Sequence, residues 1–193
     1  MVEQRDSAGN SLAYAYDSNY RLAGIIGPNG ETYAYGYDGL DNINRIVDPM
    51  RNITTLSYDP DTNGLTSIVD ARGNGIEYDY DDTGNCTRIT YEDTTHEDYT
   101  YDGLGNVLTW TNRRGQVISY AYNNYGQVTS KDYDTTLGVV DYTYAYDDLG
   151  FLTATTGPEG VTGYDFDHQT GLLDRIHYPG GQWFTFEYNG AGQ

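Results

Sequence analysis

The sequence predicts an all-β protein, an array of about nine tandem units of roughly 21 residues, each made of two short antiparallel strands. Three observations predict it. An aromatic residue followed by Asp or Asn recurs at Tyr16, Tyr37, Tyr58, Tyr80, Tyr101, Tyr122, Tyr146, Phe166 and Tyr188, in steps of 21, 21, 22, 21, 21, 24, 20 and 22 residues. Turn-forming clusters rich in Gly, Asn and Asp separate short runs of β-formers. Before each anchor the aromatic residues alternate with period two, as in Tyr33, Tyr35 and Tyr37 or Phe184, Phe186 and Tyr188.

The copy from Tyr101 to Asn123 shows each element in order. Val107 to Thr111 reads as a first strand and ends at the turn Asn112 to Gly115. A second strand, Gln116 to Tyr122, alternates Val117, Ser119 and Ala121 with Ile118, Tyr120 and Tyr122, and the turn Asn123 to Gly126 follows. Period two places each aromatic comb on one face of the sheet, where stacked units form a packing layer. Apolar residues of the first strand fall three apart (Ile43 and Ile46, Leu65 and Ile68, Val107 and Trp110). Five residues are too few for a stable helix, so that spacing predicts a bulged strand.

The residue after the anchor is Asp17, Asp38, Asp59, Asp81, Asp102, Asp147 or Asp167, and Asn123 or Asn189 in the other two units. Only Asp and Asn share a short carbonyl-bearing side chain that accepts backbone N–H bonds two residues on, so the position is structural. Gly84, Gly105, Gly126, Gly150 and Gly192 fit a position of positive φ. Asp41 is tolerable there, whereas Tyr20 predicts a differently shaped first turn.

The pattern aromatic-Asp-x-x-Gly-Asn-apolar, as in Tyr101 to Val107 and Tyr80 to Cys86, resembles the YD repeats of Rhs-type proteins and teneurins, over essentially the whole chain. That resemblance implies a continuous coiled or spiral β-sheet, of solenoid, shell or filament form, often enclosing a toxin or C-terminal cargo. It also implies an extracellular or cell-surface location. The Asp-Pro-containing autoproteolysis motif of bacterial members has no match: Asp48-Pro49 lies in a repeat turn without a Gly-rich sequel. Self-cleavage and toxin activity are therefore expected outside this chain.

Composition narrows the function further. The formal net charge of −19 disfavours nucleic acid and anionic membrane surfaces, and no hydrophobic run is long enough to span a bilayer. Leu, Ile, Val and Phe number only 35 of 193 residues, but 22 Tyr and 24 Gly at fixed offsets supply order and buried area. Cys86, alone, occupies a position held elsewhere by Ile43, Leu65 or Val107 and reads as a small core residue. "MVEQRDSAGN" lacks the apolar region of a signal peptide.

No catalytic residue and no cofactor is expected. Acidic pairs are plentiful, but no locus shows several polar residues breaking the repeat together. His96, His168 and His177 show no metal-ligand spacing. "DPDTNG", with Asp70 eleven residues after Asp59, has the oxygen spacing of a calcium loop, giving Asp59, Asp61, Asn63 and Asp70 as candidates for adventitious Ca²⁺. Its flanks read as strands, however, and the stretch is a repeat turn with one residue added. Asn52-Ile53-Thr54 and Asn85-Cys86-Thr87 are sequons; Asn52 is the plausible acceptor, while Asn85 belongs to the turn signature. Ser130 to Asp147 adds three residues to a turn and is the candidate contact loop.

The expected role is a structural scaffold that associates end to end, the rival being an adhesin or carbohydrate-binding surface using the Tyr combs. Joining Gln193 to Met1 restores the 21-residue period, so the array 1–193 is expected to be open at both ends. Its expected partners are adjoining repeats or copies of itself, head to tail.

Overall fold

The computed structural model describes residues 2–5, 7, 9, 11–133, 141–190 and 192. Among these are 18 β-strands and no helix, and the chain divides into two compact units, Met1–His96 and Glu97–Gln193. Both repeat the same two-strand motif.

In the first unit the strands are β1 (Val2–Arg5), β2 (Ser11–Tyr16), β3 (Leu22–Ile26), β4 (Thr32–Tyr37), β5 (Ile43–Val47), β6 (Ile53–Tyr58), β7 (Leu65–Val69), β8 (Gly75–Tyr80) and β9 (Cys86–Tyr91). Each pairs antiparallel with the next. The register carries Tyr14 onto Ile25 and Ile25 onto Tyr33, then Tyr35 onto Ile46 and Tyr78 onto Ile89, all on one face. The opposite face mixes small, polar and aliphatic residues, with Ala15, Gly24, Ala34, Val47 and Ile53 in one row and Ser57, Ser67, Glu77 and Thr90 in another.

The second unit contains β10 (His96–Tyr101) from Glu97 onward, β11 (Val107–Thr111), β12 (Val117–Tyr122), β13 (Val128–Tyr133), β14 (Tyr142–Tyr146), β15 (Leu152–Gly157), β16 (Gly160–Phe166), β17 (Leu173–His177) and β18 (Trp183–Thr185). Again each pairs antiparallel with its successor. Its aromatic face runs Tyr99, Trp110, Ile118, Tyr133 in one row and Tyr164, Ile176, Phe184 in another. Positions 134–140 of the expected contact loop lie outside the described residues.

The expected bulge recurs from unit to unit. Tyr35 faces Ile46 and Gly36 faces Arg45, but Tyr37 faces Ile43, so Asn44 is extra. One surplus residue restores Ile43 and Ile46 to a common face, which is why apolar residues three apart line up opposite Tyr residues two apart. Thr66, Thr87, Leu108, Thr129 and Thr153 are surplus in the same way.

One expectation is corrected. A packing layer would bury the aromatic combs, yet Ile118, 8% exposed, is the sole buried hydrophobic side chain among the described residues. Tyr33 is 42% exposed and Phe184 64%. Among the described residues of each unit, extensive packing runs between sequence-neighbouring strands, so the combs there have lateral neighbours and no second layer across the face.

Candidate functional site

The repeat turns carry most of the polar chemistry, and one geometry serves nearly all of them. At Asp102 the backbone N–H donates to the Asn106 carbonyl at 2.9 Å, and the Gly105 N–H donates back to the Asp102 carbonyl at 3.1 Å. The Asp102 Oδ1 accepts from the N–H groups of Leu104 and Asn106 at 2.8 and 2.9 Å, and Oδ2 accepts from Asn106 Nδ2 at 2.9 Å. The fourth residue takes the left-handed conformation, as Gly105 does at φ 84°. Glycine reaches that region without the Cβ clash that penalises other residues.

Tyr20 belongs to the same design, which corrects the expectation of a differently shaped first turn. Its φ is 63°, and its N–H donates to the Asp17 carbonyl at 3.1 Å while the Asp17 N–H donates to the Arg21 carbonyl. The Asp17 carboxylate accepts from the N–H groups of Asn19 and Arg21 and from Arg21 Nε, bonds that hold the turn and leave Tyr20 90% exposed. Asp41 adopts the equivalent conformation at φ 70°.

The same device also closes turns at the other end of the strands, where no aromatic anchor announces it. Asp48 accepts from the N–H and Nδ2 of Asn52, and Asp70 from those of Asn74 and the N–H of Arg72. Hydrogen bonds to these carboxylates favour the charged form. The Asn106 amide holds Asp102 below the ordinary carboxylate range, and the Thr83 hydroxyl with Asn85 brings Asp81 down to about 2.

The anchor tyrosines use both ring and hydroxyl. Tyr37, Tyr58 and Tyr80 donate to the carbonyls of Leu22, Ile43 and Leu65 at 2.8–2.9 Å. Tyr122, Tyr146 and Tyr188 do the same to Val107, Val128 and Leu173. Each acceptor is the residue opposite the preceding anchor, at the bulge, where the ladder is interrupted and a backbone group needs another partner. The bond therefore ties each of these repeats to the one before it. Phe166 has no hydroxyl, and its ring instead stacks on Phe151 at a 5.0 Å centroid distance.

Neighbouring turns are stitched directly as well. Arg21 pairs with Asp17 and with Asp41 of the following repeat, its guanidinium lying 4.4 Å from the Tyr37 ring centroid. The Asn42 and Asn63 side-chain amides bond each other, and Gln127 Nε2 donates to the Gly150 carbonyl at 2.8 Å. At Asp147 the fifth residue is Phe151, which cannot supply an amide; His168 Nε2 of the next turn stands 3.1 Å from Asp147 Oδ2 instead. His177 bonds Asp165 at 2.8 Å.

The calcium candidates are not brought together. Asp59 Oδ1 accepts from Asp61 N–H and from the N–H and hydroxyl of Thr62, and Asn63 faces Asn42. Asp70 stands at the opposite end of β7, five residues of strand away, and belongs to another turn. The two sequon asparagines play the same structural part, since Asn52 Nδ2 bonds Asp48 and Asn85 Nδ2 bonds Asp81 and Thr83. They differ in that Asn52 is exposed and Asn85 half-buried. Cys86 is half-buried opposite Tyr80, with burial pushing its thiol up.

The fifth turn residue, the Asn of the aromatic-Asp-x-x-Gly-Asn pattern, is a structural position matched to the first. Its signal is a pairing within the repeats: Asp38, Asp48, Asp70, Asp81 and Asp102 are each followed four residues later by Asn, whereas Asn112, Asn123 and Asn189 are followed by Gln.

A bulged two-strand unit, an Asx-closed turn and a tyrosine bonded to the previous unit together define a YD/Rhs-type repeat protein. The teneurin YD-shell family model matches residues 97–193, half of the chain, and the RHS repeat model matches residues 58–96; the chain belongs to the teneurin YD-shell family. No curated protein matches it. Among solved structures, TcdB2-TccC3 without its hypervariable C-terminal region is similar, with a TM-score of 0.69 and 16% identity over 96% of this chain. So are TcdB2-TccC3-Cdc42, at 0.65 and 17% over 99%, and the Photorhabdus luminescens Tc holotoxin pore, at 0.64 and 16% over 100%. This chain spans 12% of the length of each of these chains. The similarity shows the shared all-β fold.

Proposed function

We propose that this chain is a scaffold: a stretch of YD-repeat β-sheet in an extracellular shell, stalk or filament, continued by adjoining repeats or by further copies packed head to tail. The observation that carries this reading is the tyrosine hydroxyl bond that six anchors make to the unit before, a contact that any following unit of the same kind can make again. Its turn carboxylates are committed to backbone N–H groups and neighbouring amides, which supports a structural role over a catalytic one. A shell of this kind would enclose cargo supplied from outside the chain. Electron microscopy of the purified protein, with the flanking coding sequence, tests the reading. Continuous fibres, closed shells or repeats running beyond both ends support it; discrete monomers from a gene encoding these residues alone would overturn it.

A further inference from the structure

Repeat symmetry makes departures easy to find, and two of them touch. Four residues before the anchors stand Leu12, Tyr33, Thr54, Ile76, Ile118, Tyr142, Thr162 and Phe184; the one charged residue in that series is Glu97. Opposite the middle of the comb stand Ile25, Ile46, Ile68, Ile89 and Ile176, with Lys131 and Thr155 in two other repeats, but in the same repeat as Glu97 the place is taken by Trp110. Glu97 Oε2 accepts from the Trp110 indole N–H at 3.3 Å and from the Tyr99 hydroxyl at 2.8 Å. A carboxylate has thus been placed on an aromatic sheet face and fixed between two rings.

Beside it lies an open depression of about 430 Å³ lined by Tyr99, Val107, Trp110, Tyr120, Tyr122 and Val128. Three of the four polar tips around it are spoken for. Tyr122 donates to the Val107 carbonyl at 2.8 Å, and Tyr99 and Trp110 both donate to Glu97. What remains toward the depression is ring surface, two valines, the Tyr120 hydroxyl and the nearby negative charge. Aromatic faces attract cations, most strongly tryptophan, and such walls suit a cation whose charge is spread over methyl groups and which needs no hydrogen-bond acceptors. Lys131, opposite Tyr120, already places its ammonium 4.9 Å from the Tyr133 ring centroid, the same kind of contact made within the chain.

We propose that the depression over Trp110, Tyr99, Tyr120 and Tyr122, with Glu97 as counter-charge, binds a quaternary ammonium group. The chain's net charge of −19 draws cations toward it. Choline is the probe and 3,3-dimethyl-1-butanol its neutral isostere, titrated against the Trp183→Phe protein so that Trp110 alone reports. Choline should change Trp110 emission saturably, and the isostere should need about tenfold more for the same change. Glu97→Gln keeps an oxygen acceptor for the indole and hydroxyl and should weaken choline binding by about tenfold. Trp110→Ile restores the residue most repeats carry, so it should fold, and it should abolish saturation transfer from protein to the choline methyls. Equal responses to choline and its isostere, a neutral hexose acting as strongly as choline, or unaltered binding in Glu97→Gln or Trp110→Ile would each overturn the proposal.

Discussion

Two turns of the same shape, one closed by Asp81 and one by Asn123, reach that shape with opposite hydrogen-bond polarity. In both, the side-chain Oδ1 accepts two backbone N–H bonds, from Thr83 and Asn85 in one and from Tyr125 and Gln127 in the other. The second atom differs. Asp81 Oδ2 accepts from Asn85 Nδ2 at 3.0 Å, whereas Asn123 Nδ2 donates to Gln127 Oε1 at 2.9 Å. The shared oxygen sets the turn, and the second atom sets which end of the fifth residue's amide it meets: the Nδ2 of Asn85 for the carboxylate, the Oε1 of Gln127 for the amide. Gln127, longer by one methylene, also keeps its Nε2 for the Gly150 carbonyl of the next turn. An Asp-to-Asn exchange is therefore neutral at the backbone and not neutral at the neighbour.

Four measurements break or sharpen this comparison. The fourth residue should matter equally to both turns: Gly84→Val and Gly126→Val, at φ 87° and 77°, should each cost on the order of 2 kcal/mol in a denaturant titration. A tolerated valine at one of them would end the equivalence. Removing the anchor hydroxyl beside each turn should also act alike, because Tyr80 donates to Leu65 and Tyr122 to Val107. Tyr80→Phe and Tyr122→Phe should each cost about 1 kcal/mol.

Exchanging one partner of a pair is smaller and separates the turns. Asp81→Asn alone obliges Asn85 to turn its amide over to present an acceptor, giving up its Nδ2 bond to Thr83, and should lower the melting temperature by about 2 °C; adding Asn85→Gln should recover it. The last difference is acid sensitivity. Asp81 is held down to about 2, chiefly by the Thr83 hydroxyl and then by Asn85, below an unfolded value near 3.9. A depressed carboxylate stabilises above its unfolded pKa, and that contribution is lost as pH falls from about 4 to about 2. The amide proton shifts of Thr83 and Asn85 should titrate in that window while those of Tyr125 and Gln127 stay flat. Parallel titration of both pairs would remove the carboxylate from the explanation.

Much of this is legible in the sequence because repetition turns local chemistry into a pattern. The step between anchors marks the units, Ile43 and Ile46 three apart mark the bulge, and Asp or Asn with a Gly three residues on marks the turn. What stays hidden has physical reasons. Asp48 and Asp70 close their turns as Asp38 and Asp81 do but lack the preceding aromatic, so the tyrosine spacing does not point to them. Tyr122 bonds a main-chain oxygen 15 residues back, and a carbonyl carries no sequence signature. Tyr20 misleads because residue type is not conformation: the Asp17 carboxylate supplies the bonds that hold it at positive φ. Half-exposure of the combs is invisible because period two names a face without naming what covers it.

The anchor bond makes each unit a cassette. Because the hydroxyl of one anchor meets the bulge that follows the previous one, everything needed to join two units lies within a stretch that begins after one aromatic and ends on the next. Excising residues 102–122 would bring Tyr101 directly before Asn123, leaving the succession Tyr-Asn-Asn-Tyr-Gly as it now stands after Tyr122. Tyr146 would still find Val128 ahead of it. Recombination at matching tyrosine codons could then lengthen or shorten such an array by whole turns of the motif, with no compensating change elsewhere in the chain.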